Sequence, residues 1–170
     1  MDIRRDLKEQ YHAALAMLTD CIERCPEDVW VSGTYPRMFW RIVFHTAFFA
    51  HLYIGQNEAA FQPWPAISER FHDAWRLDAN VEPYELPAAI DPLSRQDALA
   101  YVAFIDSLID LTIDNLDLDT EDSGFPWYSG ISKLSHELMS LRHIQGHVGQ
   151  LSEVLMAHGI DTKWIGKIAS

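Results

Sequence analysis

Residues 36–61 constrain the fold of this chain more than any other segment, because their central stretch MFWRIVFHTAFFAHLYIG is apolar on nearly every side. The spacing predicts a helix that begins at about Pro36, a residue suited to a first helical turn, and ends at about Phe61. A helix without a polar face is stable only when other elements surround it. The segment therefore predicts a domain in which this helix is the most buried element.

Two further segments have apolar residues three or four positions apart, the spacing of amphipathic helices. Residues 3–25 form the first, with Asp2 placed to cap its start and Pro26 to end it. Ser94 is placed to cap the other, which carries a row of acidic residues on the side opposite its apolar face. Such a row can bind cations, although we expect a solvated face. The row comprises Asp106, Asp110, Asp114 and Asp117.

The last helical segment begins near Ser132 and ends at Gly159, the residue type favoured just past a helix end. We expect its apolar positions to face the core. These positions are Leu134, Leu138, Leu141, Val148, Leu151 and Leu155. Together the four segments predict an all-α fold, a four-helix bundle that residues 1–170 form as a single domain.

Residues 62–93 interrupt the helical pattern with five prolines around one short helical stretch at 66–77. A crossover connection of about 30 residues is long enough to return along the bundle, so the second and third helices can run parallel. Its large rings predict that part of it packs over one end of the bundle and walls the functional pocket; plain core packing is the alternative. The rings are Trp64, Phe71, Trp75 and Tyr84.

The charge of the chain excludes several classes of partner. The formal net charge is -12 at pH 7, and residues 78–122 contain twelve Asp or Glu against Arg95 as their one basic residue. Such a field repels nucleic acid and anionic lipid. The start MDIRRDLKEQY lacks a signal-peptide core, and no apolar stretch of about 18 residues occurs. We therefore expect a cytoplasmic protein without nucleic-acid or membrane partners, in which Cys21 and Cys25 are small buried hydrophobes.

The decapeptide RHIQGHVGQL, residues 142–151, places two glycines and two histidines inside the last helix. Gly146 and Gly149 each cost a helix interior about 1 kcal/mol relative to alanine. His143 and His147 lie four positions apart and share a face at about 5 to 6 Å, which suits two imidazoles that bind one metal ion. A polar helix face without a metal is the alternative interpretation of this spacing.

The second helix supplies a third histidine for the same ion. His45 shares a face with apolar residues, where a merely solvated histidine would be out of place. His51 lies about 120° around the helix, and we expect it to be a core histidine bonded to a backbone carbonyl. His136 lies about 10 Å along the axis from His143, so we expect it at the surface or behind the ligands. Gln150 is placed to orient a ligand or a substrate.

Two other metal patterns are rejected. The element Glu-x-x-His, which di-iron bundles use in pairs, occurs at Glu9/His12 and at Glu69/His72. The first lies away from the apolar stripe of its helix, and the second lies in the long connection. The stretch HELMS at 136–140 misses the His-Glu-x-x-His motif of zinc proteases, because a serine stands where the second histidine is required.

Three features of the chain resemble a known family. They are a histidine in the middle of the apolar second helix, the motif His-x3-His-x-Gly-Gln in the last helix, and the tail IDTKWIGK after Gly159. In these features the chain resembles the DinB-like family of metal-dependent enzymes. The resemblance covers most of the chain and implies a four-helix bundle with up-down-down-up order. It also implies one divalent metal ion, with ligands that fall on His45, His143 and His147.

The better understood members of that family are similar to thiol-dependent transferases and isomerases that act with bacillithiol, mycothiol or glutathione. We therefore expect an enzyme whose three histidines hold zinc, with nickel or iron as alternatives, and leave one coordination position open. The expected partner is a small-molecule substrate, in the leading interpretation a low-molecular-weight thiol. A metal-dependent hydrolase, a non-catalytic metal-stabilised binding bundle and a metal-free bundle are the alternatives, and a homodimer is left open.

Overall fold

The computed structural model describes residues 2–71 and 86–168, and within these ranges the chain is all-helical and contains no β-strand. The α-helices are α1 (Ile3–Arg24), α2 (Glu27–Trp30), α3 (Phe39–Tyr53), α4 (Pro65–Phe71), α5 (Arg95–Asn115) and α6 (Lys133–Ala157). Two 3-10 turns, Glu58–Ala60 and Pro126–Tyr128, lie in the connections. The predicted all-α class is confirmed. None of the helices in the described ranges is long and apolar enough to cross a membrane.

Three predicted helix starts are confirmed by their caps. The side chains of Asp2, Ser94 and Ser132 accept hydrogen bonds, at 3.1, 3.0 and 3.3 Å, from the backbone N–H groups three residues further on. These side chains satisfy donors that have no partner inside the helix. At the other end of α6, Gly159 has a φ of +74°, a conformation that glycine adopts at little cost.

The apolar helix α3 is shorter than predicted at both ends. Pro36 precedes its first residue by three positions, and after Tyr53 the chain turns at Gly55. The side chain of Asn57 then caps the 3-10 turn that follows. The predicted burial of α3 is confirmed, since all its residues are buried except His45 and Phe48, which are partly buried.

The helices pack as a helical bundle. Helices α1 and α3 each pack against both α5 and α6. Apolar side chains from all four helices fill the space between them. Fully buried examples are Leu18, Ile22, Val43, Ile105, Ile109, Ile144 and Leu151. The two histidine-bearing helices, α3 and α6, are therefore direct neighbours.

The described part of the long connection belongs to the core. Phe71 is buried, with its ring 4.8 Å from that of Phe44, and Trp64 stacks on Tyr101 at 5.3 Å. Plain core packing thus accounts for Trp64 and Phe71. The first half of the predicted helical stretch at 66–77 is helical, as part of α4. Residues 72–77 of that stretch, which include Trp75, and Tyr84 lie outside the described residues, so the predicted wall over the pocket stays a prediction.

The N-terminal half of α6 corrects two predictions. Leu138, predicted to face the core, is 56% exposed. His136 is fully buried, which contradicts the surface position expected for it and leaves the position behind the ligands as a prediction. The reason is that polar residues occupy this part of the core face, with Lys133, Glu137 and Ser140 all buried. A rule that assigns leucine to the core and charge to solvent therefore misplaces this half of the helix.

The row of carboxylates along α5 is solvated, as expected, since Asp110, Asp114 and Asp117 are exposed and Asp106 is half-buried. Asp114 lies 2.7 Å from the ammonium group of Lys8. Asp106 and Asp110 lie 2.7 and 3.3 Å from the two ring nitrogens of His12. Most of the row therefore pairs with basic side chains of α1, which links the two helices along their shared surface.

Candidate metal centre

Three histidines from two helices meet at the α3–α6 interface. The Nε2 atom of His143 lies 3.2 Å from that of His45 and 3.0 Å from that of His147. One ring nitrogen from each of the three lies within 4.8 Å of the others. In the parts of the chain that the structure describes, this is the one group of three or more His, Cys, Asp or Glu side chains arranged to hold a metal ion.

The two helices deliver these side chains in different ways. His45 projects from the middle of α3, between buried neighbours such as Phe44 and Thr46. His143 and His147 lie one turn apart on α6, where the border of the core face meets solvent. All three rings are partly buried, so they are held in place by packing and are still reached from solvent. We call this group the histidine trio.

Gln150 contacts one ring of the trio. Its Oε1 atom lies 2.8 Å from Nδ1 of His147. Because an amide oxygen only accepts hydrogen bonds, this contact favours the tautomer of His147 with its proton on Nδ1. In that tautomer Nε2, the atom that faces His143, presents a lone pair, as a ligand that binds a metal through Nε2 requires.

His143 is the most perturbed member of the trio. Burial, followed by the neighbouring charges of His147 and His45, lowers the pKa of His143 to about 3. The ring is therefore neutral at pH 7, the form that binds metal ions. Its Nδ1 atom is buried and has no hydrogen-bond partner within the described residues.

The trio has one aromatic side and one open side. The ring of Phe49 lies 4.8 Å from that of His45 and 5.7 Å from that of His143. On the other side, Gly146 and Gly149 are exposed, and a Cβ atom at either position would meet no atom within 4 Å. None of the described helices packs against the two glycines, so the surface of α6 beside the trio is open to solvent.

The remaining buried histidines do not join the trio. His51 is buried in the core as predicted, but its Nδ1 lies 3.0 Å from the hydroxyl of Tyr101 instead of a backbone carbonyl. Burial lowers the pKa of His51 to about 4. His136 stacks on Phe125 with ring centroids 4.6 Å apart, and neither of its buried nitrogens has a hydrogen-bond partner within the described chain.

The two Glu-x-x-His elements are not brought together as a di-iron site requires. His12 binds the carboxylates of α5, while Glu9 lies 3.4 Å from the ammonium group of Lys167. His72 lies outside the described residues, as does the side chain of Glu69. The first element therefore has a structural explanation at the α1–α5 interface.

A buried polar cluster lies on α6 on the N-terminal side of the trio. Its members are Tyr11, Lys133, Glu137 and Ser140, each less than 2% exposed. The Tyr11 hydroxyl donates to Oε2 of Glu137 at 2.7 Å, and Oε1 of Glu137 lies 3.2 Å from the ammonium group of Lys133. Sequence reasoning missed this cluster, because Lys133 and Glu137 four positions apart on a helix are typical of a solvent-exposed ion pair.

Both cysteines are buried and unbridged, as predicted. Burial raises the pKa of Cys25 to about 12 and also raises that of Cys21. Both thiols therefore keep their protons at neutral pH, which makes them poor nucleophiles.

No family model, no curated protein and no solved structure matches this chain. What the site can do follows from its own chemistry. It presents three imidazoles that converge through their ring nitrogens, with an aromatic ring on one side and solvent on the other. Such a donor set suits zinc, copper, iron or nickel better than magnesium or calcium, which prefer oxygen ligands.

Proposed function

We propose that the histidine trio binds one divalent transition metal ion, with zinc as the first candidate. In a tetrahedral site with Zn–N bonds of about 2.0 to 2.1 Å, the ligand nitrogens lie about 3.3 Å apart. The Nε2 separations of 3.2 and 3.0 Å around His143 are close to that value. A single proton on His143 cannot bridge both neighbours, whereas one cation can accept the lone pairs of all three rings. The convergence of these atoms is the observation that carries the proposal.

We further propose that the site is catalytic. Three protein ligands and access from solvent are typical of catalytic zinc sites, whereas structural sites have four protein ligands. When bound, such an ion lowers the pKa of a coordinated water or thiol, so that a nucleophile forms at neutral pH. The protein would contribute three fixed imidazoles, the apolar ring of Phe49 beside them, and an open surface at Gly146 and Gly149 for a small-molecule substrate.

The surroundings of the trio favour a thiol over water as the activated group. Hydrolysis needs a proton acceptor beside the bound water, whereas a coordinating thiol loses its proton to the metal directly. Within the described residues no Asp or Glu belongs to the metal-binding group. Glu137, the buried carboxylate of α6, already accepts from Tyr11 and pairs with Lys133. We therefore propose a thiol-dependent transferase, as the resemblance to the DinB-like family implies.

The same resemblance leads us to propose up-down-down-up order for the helices α1, α3, α5 and α6. Contacts along the helices support it. Tyr11 meets Glu137 and Cys21 meets Ser152, so α1 and α6 advance in the same direction. The side chain of Gln56, just after α3, accepts the backbone N–H of Asp117, just after α5, at 2.7 Å, so these two helices end side by side.

Metal analysis of untagged protein tests the first proposal, because a tag purified on nickel would load the imidazoles with nickel. We expect about one divalent ion per chain. X-ray absorption at the metal edge should then report imidazole nitrogens and one exchangeable light-atom ligand. Full occupancy of the metal by four protein ligands would contradict the catalytic proposal, and protein that takes up no zinc, nickel or iron would contradict metal binding itself.

A panel of thiols and electrophiles tests the reaction. Metal-loaded protein would be incubated with glutathione, mycothiol or bacillithiol and with epoxides or chloro-aromatic compounds, and adducts would be followed by mass spectrometry. We expect thiol adducts that require the metal. If no thiol reacts while an ester or amide is hydrolysed in a metal-dependent manner, the protein is a hydrolase instead. If the metal stabilises the fold and neither reaction occurs, it is a binding bundle.

A further inference from the structure

A cavity of about 410 Å³ lies between the C-terminal end of α3, the 3-10 turn Glu58–Ala60 that follows it and the second half of α5. Its inner wall consists of buried and half-buried side chains, whereas Gln62, Leu111 and Asn115 at its rim are exposed. The cavity is therefore open to solvent on one side. We call it the His51 cavity, after the histidine in its wall.

The wall of the His51 cavity is uncharged. None of the described residues that line it is Asp, Glu, Lys or Arg, although the chain has a formal net charge of -12. Burial lowers the pKa of His51 to about 4, so this ring is neutral at pH 7 as well. A charged group that entered the cavity would lose water without gaining a counter-charge, so the cavity favours an uncharged ligand. The other polar groups of the wall are uncharged amides and a hydroxyl, those of Gln56, Gln62, Asn115 and Thr112.

His51 offers the cavity one unused polar atom. The residue is 6% exposed, and its Nδ1 lies 3.0 Å from the hydroxyl of Tyr101. The other ring nitrogen, Nε2, has no hydrogen-bond partner within the described residues and is not closed off from solvent. The buried Tyr101 hydroxyl has no second partner in the described chain, so its hydrogen is satisfied only when it donates to Nδ1. This contact favours the His51 tautomer with the proton on Nε2, which is then a donor towards a ligand.

Aromatic and aliphatic side chains surround this donor. The rings of Phe61 and Phe104, which both line the cavity, lie 4.9 and 5.3 Å from the ring of His51. At the rim, Leu111 is 71% exposed in spite of its apolar side chain. An apolar cavity of about 150 Å³ holds one benzene molecule, so about 410 Å³ has room for two rings. Apolar walls with a few placed polar groups are typical of small-molecule sites of this size.

We propose that the His51 cavity binds an uncharged aromatic compound of two rings, whose carbonyl oxygen accepts a hydrogen bond from Nε2 of His51. Phe61 and Phe104 pack against the rings of this ligand, and Leu111 covers it at the rim. The site goes beyond the proposed metal-dependent reaction and does not rest on it. The cavity shares no lining residue with the histidine trio, and His51 lies about 120° around α3 from His45.

Benzophenone is the probe for this site, because it has two rings, one carbonyl group and no charge. Amide ¹H–¹⁵N spectra should show saturable binding, with shifts around His51. The matched control is 1,1-diphenylethylene, which has the same shape with a CH₂ group in place of the carbonyl oxygen. It should bind about three- to tenfold more weakly, the effect of one net neutral hydrogen bond. Equal affinity for the two probes would overturn the proposal.

The site can be mapped with the same probe. Under near-ultraviolet light the carbonyl group of benzophenone forms a covalent bond with neighbouring C–H groups. Mass spectrometry of the peptides should place the adduct within residues 51–62 or 104–116, which contain all the described lining residues. Adducts that lie elsewhere on the chain would show that benzophenone does not occupy this cavity.

Three variants separate the hydrogen bond from the shape of the cavity. His51→Phe keeps a ring in the wall and removes the donor, so it should bind the two probes with affinities within about twofold of each other. Ala60→Trp fills the rim and should abolish saturable binding of both. Ala59→Trp is its control, because Ala59 is exposed in the same 3-10 turn and does not line the cavity. Binding that survives in Ala60→Trp would contradict the proposed site.

Two further measurements need no variant. Long-range ¹H–¹⁵N spectra of the free protein at pH 7 should show the His51 proton on Nε2, whereas a proton on Nδ1 would leave the ligand carbonyl without a donor and overturn the proposal. Protein stripped of metal with EDTA should bind benzophenone as tightly as metal-loaded protein. Binding that requires the metal would place the ligand at the histidine trio instead, while a protein that binds no metal overturns the proposed function alone.

Discussion

The α1–α5 interface and the α3–α6 interface both contain partly buried histidine, yet they use it in opposite ways. At α1–α5, the two ring nitrogens of His12 face Asp106 and Asp110 at 2.7 and 3.3 Å. At α3–α6, the ring nitrogens face one another, with no carboxylate in the group. The first arrangement stabilises a protonated ring between two anions, and the second is the one that we propose to bind a metal cation.

The difference teaches that spacing along the helix does not decide what a histidine does. His12 belongs to a Glu-x-x-His element, which is a metal-binding motif by sequence. Across the interface, however, it forms salt bridges with Asp106 and Asp110. His45 belongs to no motif, and its partners make it a candidate ligand. The residues on the facing helix therefore decide the role.

The largest effect should come from removing one member of the trio. His45→Ala, His143→Ala or His147→Ala should each lower zinc affinity by more than about 100-fold, beyond the loss that an outer partner causes. His12→Ala and His51→Ala, which remove histidines of the other interfaces, should leave metal content near one ion per chain. Metal analysis of the purified proteins measures both. Retention of metal in all three trio variants would show that the trio does not bind the metal ion, and the proposed difference between the two interfaces would be wrong.

Acid should act on His51, the buried histidine of α3. Burial lowers the pKa of His51 to about 4, whereas an unfolded chain has a histidine pKa of about 6.5. As pH falls from 6.5 towards 4, the unfolded state gains a proton that the folded state excludes, so this histidine reduces stability. His51→Phe should therefore make the loss of unfolding free energy between pH 7 and pH 4.5 smaller by about 2 kcal/mol.

Urea titrations of the metal-free proteins at the two pH values give this difference. The loss of the bond to Tyr101 affects His51→Phe at both pH values and cancels in the comparison. An unchanged pH dependence in His51→Phe would mean that His51 takes up a proton in the folded state.

The open surface beside the trio can be probed through its glycines. Gly146→Ala and Gly149→Ala should each raise the free energy of unfolding by about 0.5 to 1 kcal/mol, because alanine suits a helix better and the added Cβ meets nothing within 4 Å. Gly124→Ala is the control, since its Cβ would lie 2.2 Å from the carbonyl oxygen of Gln56 and should destabilise. Thermal unfolding measures all three. A destabilised Gly146→Ala would show that this surface is occupied.

The smallest effect belongs to His12. Burial lowers its pKa, but the hydrogen bonds that the ring donates to Asp106 and Asp110, together with the charges of these carboxylates, outweigh burial and raise the pKa overall. A raised pKa contributes stability that is complete at a pH below the unfolded value of about 6.5 and is lost as pH rises through the folded value. His12→Gln should therefore cost about 0.5 kcal/mol at pH 5.5 and nothing by pH 9, a size typical of a partly exposed pair.

The control for His12 is His158→Gln, which changes an exposed histidine at the end of α6. It should have no effect at either pH. A His12→Gln variant that is more destabilised at pH 9 than at pH 5.5 would contradict the assignment of His12 as a protonated partner of α5.

Much of this architecture is predictable from local sequence. Asp2, Ser94, Ser132 and Gly159 mark helix ends because capping depends on atoms within a few residues. Two members of the trio, His143 and His147, are also visible in local sequence, because they lie four positions apart on one helix. Only the third member, His45, comes from another helix, where it is conspicuous as a histidine among buried apolar residues. The metal itself and its reaction remain predictions.

The N-terminal half of α6 could not be predicted in the same way. Lys133 is buried because its ammonium group donates to the backbone oxygens of Gly55 and Ser123, which precede it by 78 and 10 residues. Leu138 is exposed because Glu137 and Ser140 take the core face in its place. These choices are made by tertiary partners, which a pattern of apolar residues does not contain.

Because Cys21 and Cys25 are buried, the folded protein should not itself react with the electrophiles used in an assay. Both thiols are enclosed and their pKa values are raised, so alkylating reagents find no native thiolate on the folded chain. The intact mass of the protein should thus stay constant while a small thiol is consumed around it. For the same reason a cysteine introduced by Gly146→Cys would be the single labelled position, and a spin label there would report distances from a paramagnetic ion in the trio.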